Sequence, residues 1–219
     1  VSEQEKFRVL DLFAGIGGTA KGIQRFFFEH NIPFQYLAIE NDPEVLVAHK
    51  KLNPFSVVFA VDAYIYLQYN DLLEFDFIWA SPPCITHSRC NMFFNRKNPD
   101  MRLWELVKKL QQQNVPFVVE NVQPYYTPPI KPTVKIGRHC FWSNKPILPF
   151  RIKSFAKDWG WMNIKDWEQY HEIDPGITEH IKDRMKRRQI LRNMVHWSIS
   201  YNIIKQILFP KQKQLEVSS

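Results

Sequence analysis

No run of 18 apolar residues occurs anywhere in this 219-residue chain, so no segment is long enough to cross a bilayer as a helix. The N-terminal VSEQEKFRVL has no apolar core and no cleavage site, so no secretory leader and no membrane association are expected. Cysteine is scarce. Cys84, Cys90 and Cys140 are too few and too scattered for a disulfide framework, and no CxxC pair or Cys/His cluster points to a metal. A reducing, cytoplasmic compartment is therefore expected. Internal repeats and low-complexity segments are also missing. With 45% hydrophobic and 23% charged residues, the composition excludes a disordered tail or a fibrous protein. At this length one domain can bury roughly 70% of the surface its unfolded chain exposes.

Acidic residues run short only in the second part of the chain. Residues 1–130 carry 12 Lys/Arg against 14 Asp/Glu, whereas residues 131–219 carry 17 against 8. Trp142, Trp159, Trp161, Trp167 and Tyr170 lie among those positive charges. Aromatic rings interleaved with cations suit a polyanion, and nucleic acid is the obvious one. A plain solvated basic surface gives the same charge count.

The first half alternates between short apolar runs and amphipathic stretches. Strands are predicted at 7–13, 33–40, 56–63, 75–81 and 116–122, with helices near 18–30, 43–51 and 99–113. The last helix shows apolar positions at Met101, Leu103, Leu106, Val107 and Leu110. This order predicts an α/β fold, a mostly parallel, doubly wound sheet covered on both faces. The pattern breaks at 123–135, where Pro124, Pro128, Pro129 and Pro132 predict an extended connector. A further strand fits 138–144, residues 145–175 read as irregular, and helices near 176–192 and 198–208 close the chain.

Asp11-Leu12-Phe13-Ala14-Gly15-Ile16-Gly17-Gly18 ends a strand and opens a helix. Glycines there let a backbone approach a ligand, and helix amides face it. The spacing is neither the dinucleotide fingerprint nor a phosphate loop with its lysine. Glu40 closes the second strand and Asp62 the third. Ligands of open α/β sheets bind outside the carboxyl ends of strands, so these positions together predict a nucleoside-containing cofactor. Each acid taken alone equally fits a helix cap.

Ser81-Pro82-Pro83-Cys84 follows the fourth strand. Two prolines stiffen the loop and hold the thiol in place, which favours a nucleophile over an inert core cysteine. Glu120-Asn121-Val122 ends the fifth strand, whose end should lie beside the Cys84 loop. A carboxyl group next to a nucleophilic thiol can donate or hold a proton.

These residues resemble the cytosine-C5 DNA methyltransferase family. DLFAGIGG at 11–18 is similar to its first motif, Glu40 and Asp62 to its second and third, SPPC at 81–84 to its catalytic loop, and ENV at 120–122 to its sixth motif. Ser88 matches a serine found four residues beyond the cysteine, and RNMV at 192–195 resembles the last motif. The resemblance implies a Rossmann-like sheet of the class I methyltransferase type with a small irregular recognition lobe. It implies a catalytic core over 1–144, a target-recognition region over 145–187, and a C-terminal helix over 188–219 that returns to the core. S-adenosyl-L-methionine is the implied cofactor, held by Phe13, Ala14, Gly15, Gly17, Glu40, Asn41, Asp62, Ala63, Pro82, Asn193 and Val195. The implied reaction is methylation of a flipped cytosine at C5, with Cys84 attacking C6 and Glu120 serving N3. Double-stranded DNA is the implied partner, met by Ser88, Arg89, Arg96 and Lys97 in the loop after Cys84 and by Lys186, Arg187 and Arg188.

Three features depart from the pattern. The eighth motif normally offers two arginines. Here Arg138, assigned to the cytosine carbonyl, is followed by His139. Arg192 replaces the glycine of the last motif. The recognition region is very small, which suggests a short target site, low specificity, or a separate specificity or restriction partner. Compact size also resembles enzymes of phages and mobile elements, placing the protein in a prokaryotic or phage-infected cell. A monomer is expected. RNA as the substrate, and a catalytically silent DNA-binding subunit, are the alternative readings. The presence of both Cys84 and Glu120 argues against the silent one.

Overall fold

The computed structural model describes residues 5–91, 97–152 and 161–210. Seven strands form one sheet: β1 (Phe7–Leu12), β2 (Phe34–Glu40), β3 (Ser56–Ala60), β4 (Phe77–Ala80), β5 (Phe117–Val122), β6 (Val134–Ile136) and β7 (His139–Ser143). Their order is β3-β2-β1-β4-β5-β7-β6. The first five are parallel, and β7 runs antiparallel to both β5 and β6. The chain winds outward from β1 to β3, then crosses back to place β4 on the other side of β1. That reversal opens a crevice at the carboxyl ends of β1 and β4, where doubly wound sheets bind ligands.

Both sheet faces are covered, which is why the central strands are continuous apolar runs rather than alternating ones. Successive side chains point to opposite faces. Leu10, Leu12, Ile78, Ala80, Phe117 and Val119 pack with Leu103, Leu106, Val107 and Leu110 of α4 (Arg102–Gln111) and with α3 (Ala63–Tyr69). Val9, Phe77, Trp79, Val118 and Phe141 pack on the other face with α1 (Gly18–Glu29) and the C-terminal α7 (Trp197–Leu208). Helix α2 (Pro43–Leu52) starts on Asp42, whose carboxylate accepts from the amides of Glu44 and Val45, with Pro43 fixing the first turn.

The C-terminal third differs from the sequence expectation. The proline-rich connector ends in a hairpin, with β6 and β7 joined through Gly137 at φ 59°. The stretch read as irregular contains helix α5 (Ile164–His171), opened by a reciprocal capping box between Asn163 and Asp166. Helix α6 (Arg184–Asn193) begins eight residues later than expected, because Asp183 caps it and a 3₁₀ turn occupies Pro175–Ile177. Trp167, Tyr170, Leu191 and Met194 pack against Ile16, Val45 and Ala48, so α5 and α6 share a core with the glycine turn and α2.

Candidate active site

The crevice is a cleft of about 480 Å³. It is lined by the glycine turn after β1, the carboxyl ends of β2, β4 and β5, the hairpin turn, and the segment joining α6 to α7. Phe13, Ala14, Gly15, Gly17, Glu40, Asn41, Asp62, Ala63, Pro82, Cys84, Glu120, Arg138, Asn193 and Val195 all lie on its wall. Residues more than a hundred positions apart in sequence therefore meet at one place.

The glycine turn is shaped from behind by a buried polar network. His49 Nδ1 bonds Gly15 O at 3.1 Å, Asn53 Nδ2 donates to Gly17 O at 3.0 Å, and Ser56 Oγ links His49 Nε2 to Gln24 Nε2. Burial lowers the His49 imidazole to about 4, so it stays neutral at physiological pH. Gly17 has φ 88°, and a Cβ there would lie 2.1 Å from Asn53 Nδ2. At Gly18 a Cβ would lie 2.0 Å from Val195 O, so a glycine is what lets the α6–α7 junction close over the turn. None of these supporting residues stands out in the sequence, since His49, Asn53 and Ser56 read as an ordinary helix end and strand start. Phe13 itself is left-handed, at φ 58°, with its ring 4.9 Å from Tyr64. Strain of this kind concentrates at ligand sites.

Glu40 and Asp62 each keep hydrogen-bonding capacity for a ligand. Glu40 Oε1 accepts from the amides of Asn41 (2.9 Å) and Asp42 (3.1 Å), and Oε2 accepts from Gly15 N (3.0 Å). A carboxylate offers about four acceptor positions, so one on Oε2 remains. Burial raises the Glu40 carboxyl above its ordinary range, opposed by those three amides. Asp62 Oδ1 caps α3 by accepting from Tyr64 N (2.7 Å) and Ile65 N (3.1 Å). No hydrogen bond among the described residues reaches Asp62 Oδ2. The helix-cap and ligand readings of this aspartate therefore use different oxygens.

At the other end of the cleft, the loop of Cys84 is tied to β5. Asn121 Nδ2 donates to Pro82 O at 2.8 Å, and Cys84 O accepts from the amides of His87 and Ser88. Burial pushes the Cys84 thiol up to about 11. The neighbouring Glu120 charge adds to this rise, and Arg138 and Arg192 oppose it. Glu120 is buried and paired with His139 Nδ1. The Arg138 guanidinium is lowered by burial, with Glu120 and Cys84 pulling the other way. Its Nη2 donates to Arg192 O, and it lies 5.8 Å over the Trp167 ring. Nothing in the sequence assigns His139 a role of its own. It is an immediate neighbour of Glu120 because of sheet register, which sequence spacing does not display.

The basic residues expected to meet nucleic acid divide. Arg89 and Lys97 are exposed, and Ser88 Oγ donates to Ile85 O at 3.2 Å. Arg96 lies outside the described residues. Lys186 Nζ is held by Asp42 (2.7 Å) and Glu44 (2.5 Å) at the start of α2. Arg187 bonds Glu168 Oε1 (2.7 Å) and Thr178 Oγ1 (2.8 Å), locking α6 onto α5. Arg188 Nε donates to Met162 O at 2.9 Å. The aromatic residues divide as well. Trp142, Trp167 and Tyr170 are buried in the cores, Trp161 is 85% exposed, and Trp159 lies outside the described residues. No described helix is long and apolar enough to cross a membrane.

A family model described as C-5 cytosine-specific DNA methylase matches residues 7–136. The Entamoeba histolytica methyltransferase EhMeth is similar in structure, with a TM-score of 0.57 at 11% identity over 94% of this chain and 98% of that one. A candidate DNA modification methyltransferase encoded within an E. coli prophage gives a TM-score of 0.37 at 22% identity, over 56% of this chain and 34% of that one. A 5-methylorsellinic acid synthase of Aspergillus terreus is 45% identical over 47 residues, which is 22% of this chain and 2% of that protein. The chain thus spans about a third of the prophage-encoded protein and a small fraction of the fungal synthase.

Proposed function

The chain belongs to the C-5 cytosine-specific DNA methylase family, and we propose that it methylates cytosine C5 in double-stranded DNA through a covalent adduct on Cys84. The observation that carries this reading is the meeting of a nucleophile, an acid and two strand-end carboxylates in one cleft. Cys84 and Glu120 occupy one end, Glu40 and Asp62 the other.

S-adenosyl-L-methionine, when bound, supplies an electrophilic methyl group. The free acceptor position on Glu40 Oε2 suits a ribose hydroxyl, and the open Asp62 Oδ2 suits an adenine amino group. Phe13 and Ala63 would flank the purine. Gly15, Gly17 and Asn41 would contribute backbone to the same wall, with Pro82, Asn193 and Val195 bounding it.

The target cytosine must leave the duplex to reach Cys84. Cys84 loses its proton to solvent, and Sγ forms a bond to C6. Glu120 gives a proton to N3, which places the displaced electron pair on C5, the carbon that is methylated. Loss of the C5 proton to water lets the ring expel Sγ, and N3 returns its proton to Glu120. A cysteine suits both halves of this sequence, being a strong nucleophile and an adequate leaving group. The two groups are also coupled. A protonated Glu120 no longer carries the charge that raises the thiol, so the state that can serve N3 is the state that eases thiolate formation. Arg138 and Arg192 favour the thiolate further. Arg89 and Lys97, both exposed beyond Cys84, would contact phosphates in a sequence-independent way.

Incubation with methyl-labelled S-adenosylmethionine should deposit 5-methylcytosine in duplex DNA, and none with Cys84→Ser. Label in RNA alone would change the substrate assignment, and label at the exocyclic amine would overturn the C5 chemistry.

A further inference from the structure

Resting on that reading of Glu120 as the acid at the cytosine ring, we propose that His139 is a positioning residue that steers the acid proton of Glu120 to its cleft-facing oxygen. Glu120 lies opposite Phe141 and Val122 opposite His139 in the antiparallel β5–β7 ladder. Glu120 and His139 are therefore a diagonal pair on one face of the sheet. Both side chains are under a tenth exposed, and His139 Nδ1 is hydrogen-bonded to Glu120 Oε1.

The other ring nitrogen fixes the direction of that bond. Arg138 Nε approaches His139 Nε2 at 3.3 Å. A guanidinium nitrogen can only donate, so Nε2 acts as the acceptor and the ring proton sits on Nδ1. Nδ1–H then donates to Oε1. An oxygen accepting along that line does not hold a proton there, so in the acid form of Glu120 the proton resides on Oε2. No hydrogen bond among the described residues reaches Oε2, and Glu120 lines the cleft. Arg138 is itself fixed by the Arg192 carbonyl and the Trp167 ring. The result is a chain of directed contacts from the end of α6 to the reacting base. Arg138, expected at the cytosine carbonyl, also lies on the cleft wall.

In the reaction, the proton leaves Oε2 for N3 and a carboxylate forms. Nδ1–H of His139 stabilises the new charge on Oε1, and the proton returns to Oε2 when Cys84 is expelled. The charged and titratable groups around the pair are Cys84 from the loop after β4, Arg138 from the hairpin turn, Cys140 from β7, Arg192 from the end of α6, and Tyr170 from α5. Cys84 and Arg138 lie on the cleft wall.

Two measurements on the full chain test this. Long-range ¹H–¹⁵N correlation of the histidine rings, with the His139 signals assigned through His139→Asn, should show Nδ1 protonated and Nε2 bare. In methyl transfer to duplex DNA, His139→Ala should lower kcat by up to roughly a hundredfold, the scale of a misplaced reacting group. KM for DNA and cofactor affinity should stay within a few-fold, and the pH–rate profile should move. His139→Asn should recover much of the rate and the wild-type profile, because its amide N–H can donate to Oε1 from nearly the place of Nδ1–H. An Nε2–H tautomer, or an unchanged kcat and pH profile in His139→Ala, would overturn the inference. Absence of methylation by the wild-type protein on any nucleic acid would instead overturn the functional reading on which it rests.

Discussion

Asp62 allows the cofactor assignment to be separated from the stability of the fold. Asp62 lines the cleft, Oδ1 caps α3 with bonds of 2.7 and 3.1 Å, and no hydrogen bond among the described residues reaches Oδ2. Asp62→Asn keeps an oxygen for the cap and replaces Oδ2 by an amide nitrogen. The helix should be nearly unaffected, since Asn and Asp cap almost equally well. An adenine amino group would then meet a donor in place of an acceptor. Loss of a hydrogen bond to a charged group costs about 1.5–3 kcal/mol, or roughly 10- to 150-fold in affinity. Asp62→Ala loses both roles: about 1 kcal/mol of capping, equivalent to about 2–4 °C in Tm for a chain of this size, and the same affinity. Calorimetric titration with S-adenosylhomocysteine and thermal melting of the three proteins check this. The expected pattern is Asp62→Asn with wild-type Tm and weakened binding. Wild-type binding by Asp62→Asn would remove Asp62 from the cofactor site and leave it as a helix cap alone.

Two further predictions concern pH. With its thiol raised to about 11, Cys84 in the free protein should react slowly with iodoacetamide at pH 7.5. Its rate should climb through pH 10, and Glu120→Gln should accelerate it at fixed pH by removing the adjacent charge; peptide mass spectrometry gives the rate at Cys84, and fast wild-type alkylation at neutral pH would contradict the electrostatic account. Asp11 is buried in β1, accepts from the Tyr36 hydroxyl at 2.8 Å, and is raised by burial to about 8, with Glu40 adding to the rise. A carboxyl raised on folding contributes stability that is fully present below its ordinary value near 3.8 and lost as pH rises through 8. The isosteric, neutral Asp11→Asn should therefore gain on the wild type as pH rises from 4 to 9, by at most ~5 kcal/mol; parallel melting curves across that range would refute the assignment.

The catalytic half of the fold was legible because its central strands β4 and β5 are almost wholly buried. FIWA and FVV are uninterrupted apolar runs, and the segments that carry Cys84 and Glu120 follow directly on them. Glu40, Asp62, Cys84 and Glu120 could be gathered from sequence because a doubly wound sheet brings strand ends to one edge. What escaped depends on contacts between distant segments. Helix α5 is held by Asn163, Asp166 and the burial of Trp167, in a stretch whose aromatic and basic composition resembles an exposed surface. Lys186 and Arg187 look like free charges on a helix, yet they pair with Asp42, Glu44 and Glu168, from 19 to 144 positions away. His139 meets Glu120 only because β5 and β7 are antiparallel with one particular register.

The central claim is the covalent bond between Cys84 and a cytosine, and a trapping assay reads it directly. The protein, S-adenosylmethionine and duplex DNA carrying 5-fluorocytosine in many sequence contexts are mixed and resolved on a denaturing gel. Fluorine at C5 cannot leave as a proton does, so an adduct that has been methylated cannot release Sγ. The account predicts a protein–DNA band that requires the cofactor and disappears in Cys84→Ala, and sequencing the trapped DNA would give the target site. An adduct that survives Cys84→Ala, or DNA methylation that proceeds with no adduct at all, would contradict it.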